Sequence, residues 1–405
     1  MDLKDKLKYY QTEKSAVIPE KNHHYEEIAR AFGGEILESD TLPIIRIERF
    51  EQYSQVIPSY QDDINSSVHI PLLTKNHFAD YISLDEVLIF DLETTGLSGG
   101  TGTYPFLIGF GEFEKKGLRT IQYFLPDFGR EISAFLDMRK ITGRKKILLS
   151  FNGKTYDYPL IRNRFILNRV DNLFEHFNHL DLLHLARRLW KDHLQSCSLT
   201  SIEQNIFYFS RWQDINGGLI PQEFFNFVQS GQTSQMERVI RHNQQDIISL
   251  ARLLLRLHAI ENSIYGDSWS QTELITMFDI AISLNDFERV EPILDKLQSN
   301  FQKIPDRILI NYSLLLKRSG MWDQARFVWE HLLNKGTAVL FACEELAKFY
   351  EHQQNVYTMA IEYSNRAIRY LELMQEIESV TDNVDIRNNF AYRLARLESK
   401  LQSNL

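Results

Sequence analysis

Residues 88–97 read LIFDLETTGL, an apolar run ending in two carboxylates one residue apart, Asp91 and Glu93. In a strand, side chains at i and i+2 leave the same face. The two carboxylates therefore aim at one point, beside a strand whose other residues read as buried. Two anions held that close repel unless a cation sits between them. The expectation is a divalent metal site on the first strand of an α/β domain.

A chain of 405 residues accommodates two or three domains. No apolar run approaches the ~20 residues needed to span a bilayer. The opening MDLKDKLKYY lacks the apolar core of a signal peptide, so a cytoplasmic location and no membrane partner are expected. Cys197 and Cys343 are the only cysteines, which excludes a disulfide framework and a cysteine-based zinc site. The net charge of -9 excludes binding to nucleic acid by bulk electrostatics, but leaves room for local contacts by an enzyme whose acidic residues serve metals. The basic clusters at 139–140, 144–146, 162–169 and 187–191 each read as solvated faces.

Residues 1–84 read as an N-terminal extension packing on the next domain, with a short helix over 25–32 and a strand over 42–49. Strands are expected at 86–93, 104–113, 118–125 and 146–151. Helices are expected at 132–141, 157–167, 180–190 and 199–206. Residues 235–260 read as one long amphipathic helix with Val239, Ile247, Leu250, Leu254 and Leu257 on one stripe. This order suggests a mixed sheet with helices on its faces, over 85–261.

Residues 262–405 show no convincing strand. At a shift of 35 residues the tail aligns with itself: Asn285, Gly320 and Asn355, then Phe287, Trp322 and Tyr357, then Val290, Ala325 and Ala360. Leu294, Trp329 and Ser364 follow, then Leu297, Leu332 and Ala367. Asn and Gly tolerate the left-handed conformation that ends a helix. Each unit thus reads as helix, turn, aromatic, helix. It resembles the tetratricopeptide repeat, whose usual period is one residue shorter, with 386–401 as a helix capping the stack.

Two further acidic elements accompany the first. In SFNGKTYDYPL (150–160) a strand ends, Asn152–Gly153 turns, and Asp157 opens a helix, where the helix dipole favours a carboxylate. Alone, Asp157 reads equally as a plain helix-start residue. In RHNQQDIISL (241–250), His242 and Asp246 are four apart on one helix face. A second D-x-E, Asp286 and Glu288, sits within a repeat and reads as a solvated helix start.

Together the three elements resemble the DEDD (DnaQ-like) superfamily of 3′-to-5′ exonucleases, which has a ribonuclease H-like fold. Asp91 and Glu93 match its first motif, Asn152 and Asp157 its second, His242 and Asp246 its third. The family carries Tyr four residues before the last Asp, or His five before it. Here His242 stands four before, in the tyrosine slot, and Arg241 stands five before. HLDLLHLARRLW (179–190), CSLTSIE (197–203) and DINGGLIP (214–221) further resemble a bacterial YprB-like branch, in which the nuclease domain precedes tetratricopeptide repeats.

The resemblance implies phosphodiester hydrolysis with two divalent ions, Mg²⁺ or Mn²⁺, about 3.5–4 Å apart. Asp91 would bridge them, Glu93 and Asp246 would complete the site that activates water, and Asp157 would support the second ion. His242 would orient or deprotonate the water. Hard cations suit a set of carboxylates. The branch also implies nucleic acid, DNA before RNA, DNA repair, and a helicase partner, with the repeats available to hold a protein. Thr94, Gly96, Leu97 and Asn152 are candidate contacts to the strand end. The glycine-rich 96–102 lacks the Gly-Lys-Ser/Thr of a P-loop, which excludes triphosphate binding there. Asp181 reads as a solvated helix start before it reads as support for the site, and 214–221 as a structural loop. A ribonuclease or structure-specific endonuclease is the alternative within enzymes. A non-catalytic scaffold that recruits partners through its repeats is the alternative outside them.

Overall fold

The computed structural model describes residues 21–37, 42–56, 67–79, 81–96, 102–262, 270–378 and 384–403. The chain divides into two compact units, Met1–Ser263 and Ile264–Leu405.

The strands of the first unit are β1 (Glu35–Leu37), β2 (Ile44–Gln52), β3 (Ser67–Val68), β4 (Ile82–Ser83), β5 (Val87–Thr94), β6 (Pro105–Glu114), β7 (Gly117–Phe124), β8 (Ile147–Ser150) and β9 (Asn178–Asp181). Seven of them form one sheet in the order β1-β2-β7-β6-β5-β8-β9, and β3 pairs with β4 apart from it. β5, β6 and β7 form an antiparallel meander, while β8 and β9 run parallel to β5 on its other side. β5 is therefore central, as its nearly continuous apolar run requires.

β1 and β2, which the sequence placed in an extension, belong to this sheet. β2 pairs antiparallel with β7 from Ile45↔Phe124 to Gln52↔Gly117. The strand itself was legible, but its pairing partner lies far along the chain.

One sheet face is covered by the helices Glu131–Thr142 and Asp157–Leu167. Phe90, Phe110, Phe135, Phe165 and Phe174 interlock there, with Phe135 edge-on to Phe165 at 4.6 Å between centroids. The other face carries the helix Ser234–Asn262, whose Val239, Ile247, Leu250, Leu254 and Leu257 are all fully buried.

Two glycines set how closely that helix approaches. A Cβ at Gly109 would lie 2.1 Å from Asn243 Oδ1 and 2.8 Å from Ile247 Cδ1, and one at Gly111 would lie 2.5 Å from Ile247 Cγ2. Gly109→Ala is therefore expected to destabilise the protein by about 1–3 kcal/mol, the usual cost of overpacking, as measured by thermal denaturation. A melting temperature equal to wild type would show that the helix does not need this clearance.

In the second unit the described helices are Gln271–Leu284, Phe287–Leu297, Asp306–Arg318, Trp322–Asn334, Val339–His352, Tyr357–Glu378 and Val384–Ser403. Asn285, Gly320 and Asn355 all adopt positive φ, at 56°, 76° and 53°. The three aromatics at 287, 322 and 357 each open a helix. Val290, Ala325, Ala360, Trp329, Ser364, Leu297, Leu332 and Ala367 are buried, so the aligned seam is where these helices pack. Leu294 is the exception, being partly exposed. The last helix is tied down by Glu351, a buried carboxylate that accepts from Arg393 (3.0 Å), Arg396 (2.6 Å) and Lys400 (3.0 Å). Among the described residues no helix is long and apolar enough to cross a membrane.

Candidate active site

β5 alternates as a half-solvated strand should at its C-terminal end: Leu92 is buried, while Asp91 and Glu93 face the cleft partly exposed. A bulge between Glu93 and Thr94 shifts the register against β6 at this point, a device that re-aims side chains beside functional sites. Asp91, Gly109 and Gln122 are register partners across β5, β6 and β7. Their side chains share one face of the sheet. The missing side chain at Gly109 leaves room for Asn243. Gln122 Nε2 donates to Asn243 Oδ1 at 2.8 Å, and Asn243 Nδ2 donates to Asp91 Oδ2 at 2.7 Å. Asn243 is fully buried, so this chain orients Asp91 from behind.

The long helix also supplies His242 and Asp246, and the pair faces the cleft as their spacing predicts. Glu93, His242 and Asp246 each offer a ligand atom within 4.8 Å of the other two. Asp157 opens its helix, as expected. The turn before it is held by Asp181, which accepts from Asn152 N (2.8 Å), Lys154 N (3.1 Å) and Leu183 N (3.1 Å). Asp181 is only 3% exposed, which corrects its reading as a solvated residue. A buried carboxylate that satisfies three backbone donors is a structural clamp. Asn152 sits in this turn with φ of 65°. Thr94 Oγ1 donates to Gly96 O at 2.8 Å. Leu97 lies outside the described residues.

The electrostatics are those of crowded anions. Burial, then the charges of Asp246 and Asp157, push the Asp91 carboxyl well above its usual range, against the opposing hydrogen bond from Asn243. Burial, then Asp91, Asp246 and Asp157, do the same to Glu93. Asp157 is pushed up to about 7, chiefly by burial, with Asp181 and Asp246 adding to it. A group of mutually repelling oxygen donors is the donor chemistry that a hard divalent cation fits.

Two residues outside the expected site set join it: Arg211, and Asp214 of the segment read as a structural loop. Arg211 forms a bidentate pair with Glu203, both contacts at 2.7 Å, and a further contact to Asp246. Asp214 Oδ1 lies 2.8 Å from His242 Nδ1. A carboxylate only accepts, so a hydrogen bond here requires the proton on Nδ1, which also lies 3.3 Å from Arg211 Nη1, while Nε2 lies 3.5 Å from Asp246 Oδ2. Burial raises the Asp214 carboxyl, but the hydrogen bond and charge of His242, with Arg211, outweigh it and hold it below its usual range. Asp214 is thus a contact to the site and not only part of a loop. Arg211 and Asp214 carry no periodic signal, and only the resemblance of 214–221 to a family segment marked that stretch.

Residues 88–258 match the sequence family described as the RNase H superfamily. The sheet domain is RNase H-like. An uncharacterized protein of Bacillus subtilis (strain 168), YprB, is 29% identical over 329 residues, which are 79% of this chain and 76% of that protein. Among solved structures, the family B DNA polymerase of the hyperthermophilic archaeon Pyrobaculum calidifontis aligns with 50% of this chain and 29% of its own. Its identity is 14% and its TM-score 0.35, a likeness too slight to carry an argument.

Proposed function

We propose that the chain is a divalent-metal-dependent 3′-to-5′ exonuclease acting on DNA before RNA. The observation that carries this reading is the convergence of β5, the Asp157 helix and the long helix on one acidic cleft. The charges of Asp157 and Asp246 raise the proton affinity of Asp91 and Glu93, Asp246 raises that of Asp157, and Glu93 and Asp246 lie within ligating reach of each other. Asp91, Glu93, Asp157 and Asp246 would hold two ions, Mg²⁺ or Mn²⁺. Such ions polarise the scissile phosphate and stabilise the charge on the entering and leaving oxygens. Asn243 and the bulge hold Asp91 and Glu93 in place. His242, with Nδ1–H engaged by Asp214, presents Nε2 to take a proton from the attacking water. Thr94, Gly96, Leu97 and Asn152 would border the strand end. The C-terminal repeats, read as tetratricopeptide-like, would hold a protein partner, a helicase by family resemblance, in DNA repair.

The test is a 5′-labelled set of single- and double-stranded DNA and RNA, incubated with Mg²⁺ or Mn²⁺. A ladder shortening from the 3′ end is expected. Internal cuts on circular DNA would favour an endonuclease, and intact substrate under every metal condition would leave a non-catalytic scaffold. His242→Ala is expected to lower the rate by roughly 10²–10⁴ and to flatten the acid limb of the pH–rate profile. An unchanged profile would remove His242 as the base.

A further inference from the structure

Beside the acidic cleft the first unit carries a groove of about 330 Å³, lined in part by Arg238, Arg241, Gln245 and Arg252 of the long helix. Their spacings of three, four and seven residues put them along one side of that helix, next to the side that carries His242 and Asp246. The opposite wall is the segment holding Arg211 and Trp212. Arg211 lines the groove and also contacts Asp246, so groove and cleft adjoin.

The groove is cationic in a chain of net charge -9. Arg238 is held by the carbonyl oxygens of Gln213 (3.3 Å) and Asp214 (2.9 Å) and by the side chain of Gln235 (3.0 Å), all neutral acceptors. Arg241 is exposed. Arg252 stacks over Phe209 at 5.0 Å. Arg49 of β2 reaches the rim and donates to Gln244 Oε1 at 2.8 Å. The carboxylates among the lining residues are Glu51 and Asp214, and Asp214 is engaged by His242 and Arg211. Burial lowers the proton affinity of Arg49 and Arg252, against the opposing charges of Glu51 at Arg49 and Glu203 at Arg252, and Arg241 adds a smaller like charge at Arg49.

At the groove's edge Trp212 is 88% exposed. Its segment is anchored by the Arg211–Glu203 pair, so a large aromatic face is held in water beside a row of guanidinium groups. Phosphate-binding cations interleaved with stacking aromatics are the requirements of a single-strand site. The groove's volume is that of a small-ligand pocket.

We propose that this groove holds the backbone of a single strand of nucleic acid next to the reacting phosphate, with Trp212 stacked on one of its bases. The proposal rests on the nuclease reading of the adjoining cleft. It is tested by fluorescence anisotropy of the full chain in EDTA, with labelled oligothymidylate and oligouridylate of about 12 nucleotides. Arg241→Glu is expected to weaken binding at least tenfold and to reduce the salt slope by about one. Trp212→Ala is expected to weaken it about tenfold with the salt slope unchanged. Both side chains are exposed, and a wild-type melting temperature checks that neither variant is misfolded. Unchanged affinity in both variants, or no binding by the wild type, overturns the proposal. The two oligonucleotides show which sugar the groove accepts. No metal is present, so binding and cleavage fail separately. Loss of binding in the variants beside a wild type that never cleaves keeps the groove and sinks the nuclease. Unchanged binding beside a normal ladder sinks the groove alone.

Discussion

Asp91→Asn is expected to abolish hydrolysis while making the metal-free protein more stable. Loss of a carboxylate that would hold the metal ions removes several kcal/mol of transition-state stabilisation, a rate loss of at least ~10³. The stability gain has a separate cause. In the wild type, Asp91, Glu93 and Asp157 hold their protons to higher pH in the folded state than in the unfolded chain. A carboxyl with a raised folded-state value favours folding while protonated. Stability is therefore lost as pH rises from the ordinary carboxylate range near ~4 through the raised values, about 7 for Asp157. The metal-free wild type should melt lower at pH 8 than at pH 5. Mg²⁺ or Mn²⁺ at a hundredfold excess over Kd should restore about 2.7 kcal/mol, roughly 5–10 °C. In Asp91→Asn the pH dependence should shrink and most of the metal response disappear. A wild-type melting curve indifferent to both pH and metal would sink the account of crowded anions.

Arg211→Ala should be among the most damaging single changes to the fold of the first unit. Its side chain is 6% exposed and that of Glu203 1%. Glu203 also accepts from Ser249 Oγ. Removing the guanidinium leaves a buried carboxylate without its cation, which costs about 3–5 kcal/mol, or roughly 10 °C. Arg211→Lys should fall between, because an ammonium cannot make the two-pronged contact to Glu203. Differential scanning fluorimetry of the two variants checks the order. If Arg211→Ala melts with the wild type, the pair does not anchor the segment that carries Trp212 and Asp214.

The legible parts were those written as local patterns. β5 was readable because a long apolar run is what a central strand needs, and Asp91 and Glu93 because their spacing matches the pleat. The long helix was readable from its stripe, and the 35-residue repeat from Asn285, Gly320 and Asn355, since few residue types tolerate the left-handed turn. Asp157 and Asp246 were weak signals taken singly and became candidates as a set matching a family pattern. Asn243 was passed over because nothing local separates it from Gln244 and Gln245. What distinguishes it is Gly109, well over a hundred residues away, whose missing side chain makes its place on the sheet.

By itself the sequence determined the strands β2, β5, β6, β7 and β8, the long helix, the carboxylate pair on β5 and the helical tail, because backbone periodicity and turn chemistry act over a few residues, whereas β1, β3, β4 and β9 are too short to show a period. Tertiary structure alone decided that β1 and β2 join the sheet through β7. It also decided that Asp214 stands against His242 and Arg211 against Asp246. Arg49, Arg238, Arg241 and Arg252 gather beside the cleft only in the fold. The physical reason is the same in each case: pairing, buried charge and surface potential depend on distances in space, and those distances join residues that the chain keeps far apart.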